Sequence, residues 1–257
     1  MCSSIYKKPA YWLVVGALTA SVNLSMADTG KKAGRPAHGA ATTSVASRHK
    51  AAAANAAFLE EAAMLYEEIS LKELGLSKKA FEYALKGYYY MQSHHMLGKE
   101  GVLSICDLSQ SSRNKRLYVL DLDQKAVVIN TYVAHGRNSG KEFANSFSNN
   151  PSSHKTSLGF YVTQDTYMGG NGLSLKIRGM EKGFNDRANG RNIVVHGSEY
   201  VGPDFIQMNQ YSGRSYGCPA IPSDESQVII DYIKDGSCLF IYHPTKKYIS
   251  RSKILND

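Results

Sequence analysis

Cysteine, proline and tryptophan are scarce in this sequence: four, seven and one among 257 residues. Four cysteines cannot make a chain of this length a disulfide-dense scaffold, and so few prolines exclude collagen-like and proline-rich repeats. Long apolar runs are missing too. The run Ala10–Ala20 falls short of the roughly 20 residues that cross a bilayer. No G-x-G-x-x-G or Walker sequence occurs, nor H-E-x-x-H or C-x-x-C, so neither a nucleotide cofactor nor a metal is implied. An acidic counterweight is lacking as well: 30 Lys and Arg face 22 Asp and Glu, for a net charge of +8. That excess is local. Residues 1–27 carry Lys7 and Lys8 without an acid, and residues 28–57 carry five basic residues against Asp28 alone. The other 200 residues hold 23 basic against 21 acidic side chains, so the body is nearly neutral and nucleic-acid binding is not expected.

What is present begins with an export signature. Lys7 and Lys8 precede Ala10–Ala20, and Ser25 and Ala27 form a small-x-small site. This pattern predicts a signal peptide over 1–27, cleaved after Ala27, leaving no membrane span and placing the protein in the periplasm or cell envelope. Three cysteines then remain, Cys106, Cys218 and Cys238. An odd number in an oxidising compartment leaves at least one thiol either buried or kept for chemistry. Residues 28–57, with 11 alanines and almost no bulky apolar side chain, read as a basic tether, its Ala51–Ala57 end able to join the helix that follows.

From Phe58 apolar residues recur at helical spacing. A second helix is capped by Ser77 and presents Phe81, Ala84, Leu85, Tyr88 and Met91 on one face, with Gly87 as an interruption. Residues 58–98 therefore form a helical segment. The adjacent Tyr88, Tyr89 and Tyr90 point to different helix faces, giving one core and two amphipathic surface residues rather than a flat platform. Residues 99–257 change texture: GVLSICDL, RLYVLDL, KAVVINTYVA, LGFYVTQ, LSLKIR, RNIVVH and CLFIYH are short β-branched or aromatic runs between polar loops. In LSLKIR the alternation puts Leu173, Leu175 and Ile177 inward and Ser174, Lys176 and Arg178 outward. One late helix starts at Ser223, turns Val228, Ile229, Tyr232 and Ile233 inward and ends at Gly236. The fold class is mainly β, with helices in front and one late.

Cys218 stands out chemically. It lies in GRSYGCPAIP, with Ser215 three residues before it and Gly213 and Gly217 nearby, where the chain can turn sharply and leave N–H groups unshielded. His196 ends RNIVVH beside a glycine, and an imidazole can take the thiol's proton and return it to a leaving group. Cys106 and Cys238 sit inside strand patterns and read as core, with a disulfide between them left open. His135, in VAHGRNSG, is a second candidate at a strand end. His243, before Pro244, reads as a surface strand end.

The stretch from RNIVVHGSEYV to GRSYGCPAIP resembles the bacterial L,D-transpeptidase catalytic domain, in which a His-bearing strand precedes Ser-x-Gly-Cys by about twenty residues; the segments NTYVAHGRNSG, SSHKTSLGFYVT and CLFIYHP resemble its secreted murein branch. The resemblance covers about 100–249. It implies a β-sandwich or barrel catalytic domain acting on peptidoglycan stem peptides without a cofactor, Cys218 as acylated nucleophile and His196 as its base. Ser215, Tyr216 and Gly217 would support the turn and the oxyanion. The acyl group would pass to an amine, giving a 3→3 cross-link, or to water, giving an L,D-carboxypeptidase; a non-catalytic wall-binding module is the rival of another class. This chain departs from the common motif by carrying Tyr216 for a second histidine and Pro219-Ala220 where an apolar residue and Arg or Asn are usual. Substrate-carboxylate recognition then falls to Arg214, with Arg191 and His135 as further substrate-binding candidates; on a straight strand Arg191 would face away from His196.

Overall fold

The computed structural model describes residues 45–257, so the signal-like segment 1–27 and the first part of the tether lie outside the described residues. Helix α1 (Val45–Glu68) starts within the stretch read as tether. Alanine is the strongest helix former, and the helix extends back through the whole Ala51–Ala57 run. Residues 47–57 of it are exposed, and Ala62 and Tyr66 are buried side chains on it.

Helix α2 (Lys78–Ser93) is capped by Ser77, whose Oγ accepts the Ala80 N–H at 3.1 Å, and it buries the five apolar residues its periodicity singled out. Gly87 has a packing reason: a β carbon there would stand 1.9 Å from Cζ of Phe160. The helix settles into the sheet through this notch. Of the three tyrosines, Tyr88 is buried and accepts the Gly101 N–H, Tyr89 donates outward to Glu61, and Tyr90 stacks on His94.

The sheet has eight strands: β1 (Val102–Asp107), β2 (Leu117–Asp121), β3 (Ala126–Thr131), β4 (Gly159–Gly169), β5 (Gly172–Gly179), β6 (Val194–Ser198), β7 (Ala220–Pro222) and β8 (Cys238–Tyr242). They run in the order β3-β2-β1-β8-β4-β5-β6-β7. Pairs β1–β8 and β6–β7 are parallel and the others antiparallel. Instead of two separate layers, one mixed sheet closes on itself through the chain leaving edge strand β3, which bridges Ala134 to Ala220 and Gly136 to Ser215 at the opposite edge. Short helices α3 (Pro203–Asn209), α4 (Ser226–Ile233), α5 (Lys246–Ile249) and α6 (Lys253–Asn256) fill the connections and the C-terminus. The last two are tied to the sheet by the buried Glu181 carboxylate, which accepts from the Phe160 N–H and the hydroxyls of Tyr248 and Ser252.

Two expectations need correction, and the disulfide left open between Cys106 and Cys238 is resolved. Helix α4 starts later than Ser223, because the 223–226 turn is closed by Ser226 Oγ donating to the Ser223 carbonyl; Val228 is thereby turned out, 68% exposed, while Ile229, Ile230 and Ile233 pack inward. Ser174 is buried, since it pairs with His196 in the sheet interior. Cys106 and Cys238 are free thiols. The β1–β8 register sets Cys238 opposite Leu103, three residues from Cys106, and burial raises the Cys106 thiol to about 12.

The Gly87 notch makes an outcome contrary to helix propensity. Gly87→Ala should gain up to about 1 kcal/mol in an isolated helix. Here the clash with Phe160 outweighs that, and thermal unfolding should show a net loss of about 1–3 kcal/mol. An unchanged or raised Tm would mean that α2 does not bear on β4 in solution.

Candidate active site

His196 sits in the middle of β6, between Ser174 on β5 and Ala220 on β7. Alternation turns it into the protein, leaving it 4% exposed. Its Nδ1 lies 2.9 Å from the Gly197 carbonyl. A carbonyl only accepts, so Nδ1 carries a proton, and in the neutral ring the lone pair lies on Nε2. Gly197 is required by packing, as a β carbon there would press on Ser223 and Ser226.

Cys218 closes a tight turn just ahead of β7. Ser215 is almost fully buried and braces this turn from within: its Oγ donates to the Cys218 carbonyl at 2.6 Å and accepts the Gly217 N–H at 3.0 Å. Gly217 has φ +125°, and a β carbon would meet the Lys155 carbonyl at 2.9 Å, so the position admits only glycine. The bracing corrects one expectation: the Gly217 amide is occupied by Ser215 Oγ. Among the described residues, the amides of Tyr216 and Cys218 donate to no protein acceptor.

The thiol of Cys218 is half-buried. Sγ points to the Asn192 carbonyl at 3.7 Å, which is aimed there because Asn192 ends the short 3-10 turn Asn189–Arg191 in the left-handed conformation (φ 54°). Burial pushes the thiol above its ordinary value, against the Val194 N–H and the Arg191 charge, which pull it down. His196 and Cys218 thus reach adjacent parallel strands without a hydrogen bond between them. Ala220, the residue opposite His196, lies two positions past Cys218, about 7 Å along a strand.

The other wall of the turn is the 134–137 segment. Ala134 N donates to Ala220 O at 2.8 Å, Ser215 N to His135 O at 3.0 Å and Arg137 N to Ser215 O at 2.7 Å. His135 itself is 1% exposed and does not reach a ligand surface. Its Nδ1 accepts from Arg116 Nη2 at 2.8 Å, and burial beside that guanidinium lowers it to about 3, so the ring is neutral.

Arg191 is not on a strand but in the 3-10 turn, and it points under Gly217. Its guanidinium donates to the carbonyls of Lys155 and Ser148 and to Ser157 Oγ, bracing the 148–157 loop. Arg214 donates to the carbonyls of Arg137 and Gly140 and lies over the Tyr211 ring. Tyr216 projects from the turn, 63% exposed, edge-on to His154 and beneath Arg137. It divides two hollows. One of about 390 Å³ is lined by Arg137, Tyr200, Tyr211 and Arg214; the other, about 300 Å³, by His154, Arg191 and Asn192. Asn192, Tyr200, His154 and Arg137 escaped the sequence reading, although VAHGRNSG and SSHKTS carried two of them. Arg116 gave no signal, since it reads as the start of a strand.

Comparison with known families and structures gives the context. A family model described as the L,D-transpeptidase catalytic domain matches residues 72–242. No curated protein matches significantly. Among solved structures, an L,D-transpeptidase from Mycobacterium smegmatis is 13% identical over 56% of this chain and 59% of its own, with a TM-score of 0.35. One from Xylanimonas cellulosilytica is 18% identical over 55% and 60%, with a TM-score of 0.32. One from Stackebrandtia nassauensis is 12% identical over 64% and 67%, with a TM-score of 0.33. The chain spans about half to three-fifths of the length of the first solved structures it matches, and at these scores the family model alone assigns it. On that match across most of its described residues, the chain belongs to the L,D-transpeptidase catalytic-domain family.

Proposed function

We propose that the protein is a cysteine L,D-transpeptidase that joins peptidoglycan stem peptides through 3→3 cross-links. The observation that carries this reading is a half-buried thiol on a glycine turn whose Tyr216 and Cys218 amides are uncommitted, beside a strand bearing a histidine with a basic Nε2. Burial holds the thiol protonated, so the first step needs a base. Sγ swings from Asn192 toward His196, whose Nε2 takes the proton. The thiolate then attacks the carbonyl at the L-centre of the diamino residue in a tetrapeptide stem. The oxyanion takes the N–H groups of Tyr216 and Cys218. As the C–N bond breaks, His196 returns its proton to the departing D-Ala amine, leaving a thioester on Cys218. The side-chain amine of a second stem attacks that thioester and frees the thiol.

Arg214, with Arg137 in the larger hollow, offers two guanidiniums for a stem carboxylate. Arg191 acts beneath the turn instead, since its donors are engaged by the chain. His135 passes from a substrate-binding to a supporting role, as it is buried. Water in place of the second amine would make the enzyme an L,D-carboxypeptidase. The sequence pattern of residues 1–27 supports export to the envelope, where this substrate lies. No helix among the described residues is long and apolar enough to cross a membrane.

Two experiments test the reading. Tetrapeptide-rich peptidoglycan incubated with the protein should yield 3→3 dimers by muropeptide mass spectrometry, and none with Cys218→Ala. Tripeptide without dimer would assign a carboxypeptidase, and unchanged muropeptides would favour a wall-binding module. The second follows Cys218 alkylation by iodoacetamide against pH. Thiolate accumulates only above the group's own pKa, so the rate should rise through a midpoint above the ordinary thiol value of 9.0. A midpoint near or below about 7 would mean a preformed thiolate–imidazolium pair and no separate base step.

A further inference from the structure

Arg116 is fully buried and belongs to no ion pair among the described residues. The nearest acid, Asp107, spends its carboxylate on the Ser109 amide and hydroxyl and on Gln110 Nε2. The guanidinium is held by neutral groups: Nε and Nη2 donate to the Val133 carbonyl at 3.1 and 2.9 Å, Nη1 to the Gln110 carbonyl at 2.9 Å and Nη2 to His135 Nδ1 at 2.8 Å. Asp107 acts on the guanidinium only through space, and a buried charge without a direct ion pair is expensive, so an apolar side chain of similar volume would fill the space at lower cost. Its bonds therefore point to what it organises. Most of them grip residues 133 and 135, flanking Ala134.

Those residues open the segment that holds the nucleophile turn at both ends. His135 O takes the Ser215 amide, Arg137 N gives to the Ser215 carbonyl, and Ala134 N gives to the Ala220 carbonyl; Cys218 lies between. Ser215 in turn holds the Cys218 carbonyl and the Gly217 amide. Because His135 Nδ1 accepts from Arg116, the ring proton sits on Nε2, which faces the Gly140 and Lys141 carbonyls without reaching hydrogen-bond geometry. The ring is thus oriented chiefly by Arg116.

We propose that Arg116 is a positioning residue for the reaction: through Val133 and His135 it fixes the 134–137 segment, and with it the height and direction of the Cys218 thiol and of the two free amides. This rests on the reading of Cys218 as nucleophile. The guanidinium is fully buried and touches no substrate; its influence passes through its bonds to the Val133 carbonyl and His135 Nδ1, and from the 134–137 backbone to the turn.

The test compares Arg116→Met, Arg116→Lys and His135→Leu with a remote core variant, Met91→Ala, which lies under β8 against Cys238. Turnover of a tetrapeptide stem and the pH midpoint of Cys218 alkylation are both read at a temperature where each variant is folded. Arg116→Met and His135→Leu should lose about tenfold or more in kcat with KM kept within about twofold. Their alkylation midpoints should move by at least about half a pH unit. Arg116→Lys, which retains a charged donor for the Val133 carbonyl, should recover part of both. Met91→Ala should lower the Tm without moving the midpoint or the kcat. Wild-type kcat and midpoint in Arg116→Met, or the same shifts in Met91→Ala, would overturn the proposal. Should Arg116→Met not fold, His135→Leu decides by the same criteria. If wild-type protein turns over no stem peptide, the transpeptidase reading falls, while the alkylation midpoints still decide whether Arg116 positions Cys218.

Discussion

The Cys218 turn is suspended between two strips of backbone, and the candidate site depends on that suspension. Strand β7 has only three residues, and by itself its pairing to β6 fixes little beyond the register of His196 with Ala220. The 134–137 segment supplies the missing edge by bonding to Ser215 before the cysteine and to Ala220 after it. A strained turn persists only where its surroundings over-determine it. Gly217 at φ +125° is held by Ser215 within the turn, hemmed in by the Lys155 carbonyl beside it, and flanked by these three outer bonds. The same segment closes the sheet, so fold and site share one set of hydrogen bonds.

The arrangement sets the thiol's electrostatics. Burial opposes ionisation, while the Val194 amide and the Arg191 charge favour it, and burial prevails. A resting neutral thiol is less open to adventitious oxidation than a thiolate. Its partly buried surroundings would also strengthen the two free amides of the turn once negative charge develops. Low polarity thus opposes ionisation of the thiol in the resting state, and under the proposed mechanism it makes the imidazole of His196 the group on which activation depends.

Much of this was legible in the sequence, for physical reasons that can be named. Ser77 and the apolar spacing after it specify α2 because cap and periodicity are local properties. The strands of 99–257 declare themselves by β-branched runs, and Ser215, Gly217 and Cys218 by a turn that other residues could not make. Features that depend on distant partners stayed hidden. Gly87 reads as a weak point in a helix until Phe160 is seen against it. Val228 reads as core because the extra turn at Ser223–Ser226 is invisible in spacing. Arg191 reads as a strand residue, yet the left-handed Asn192 ends a 3-10 turn there and swings it beneath the nucleophile. His135 was picked out for its chemistry, whereas its backbone carbonyl and its Arg116 partner give it its place.

Tyr216 shows how one departure from a motif can be absorbed. An imidazole at that position could exchange protons near neutral pH, which a phenol does not do. The ring instead forms a wall, with Arg137 over it and His154 at its edge, and separates a hollow carrying Arg137 and Arg214 from one carrying His154 and Arg191. Both hollows are basic, and neither has an acidic side chain in its lining. The positive charge on either side of Tyr216 favours the approach of a carboxylate-bearing ligand at low salt, as the proposed stem-peptide substrate would be. Under the proposed mechanism the acid–base work then rests on His196 alone, and Tyr216 stands as a partition between the two hollows flanking the turn.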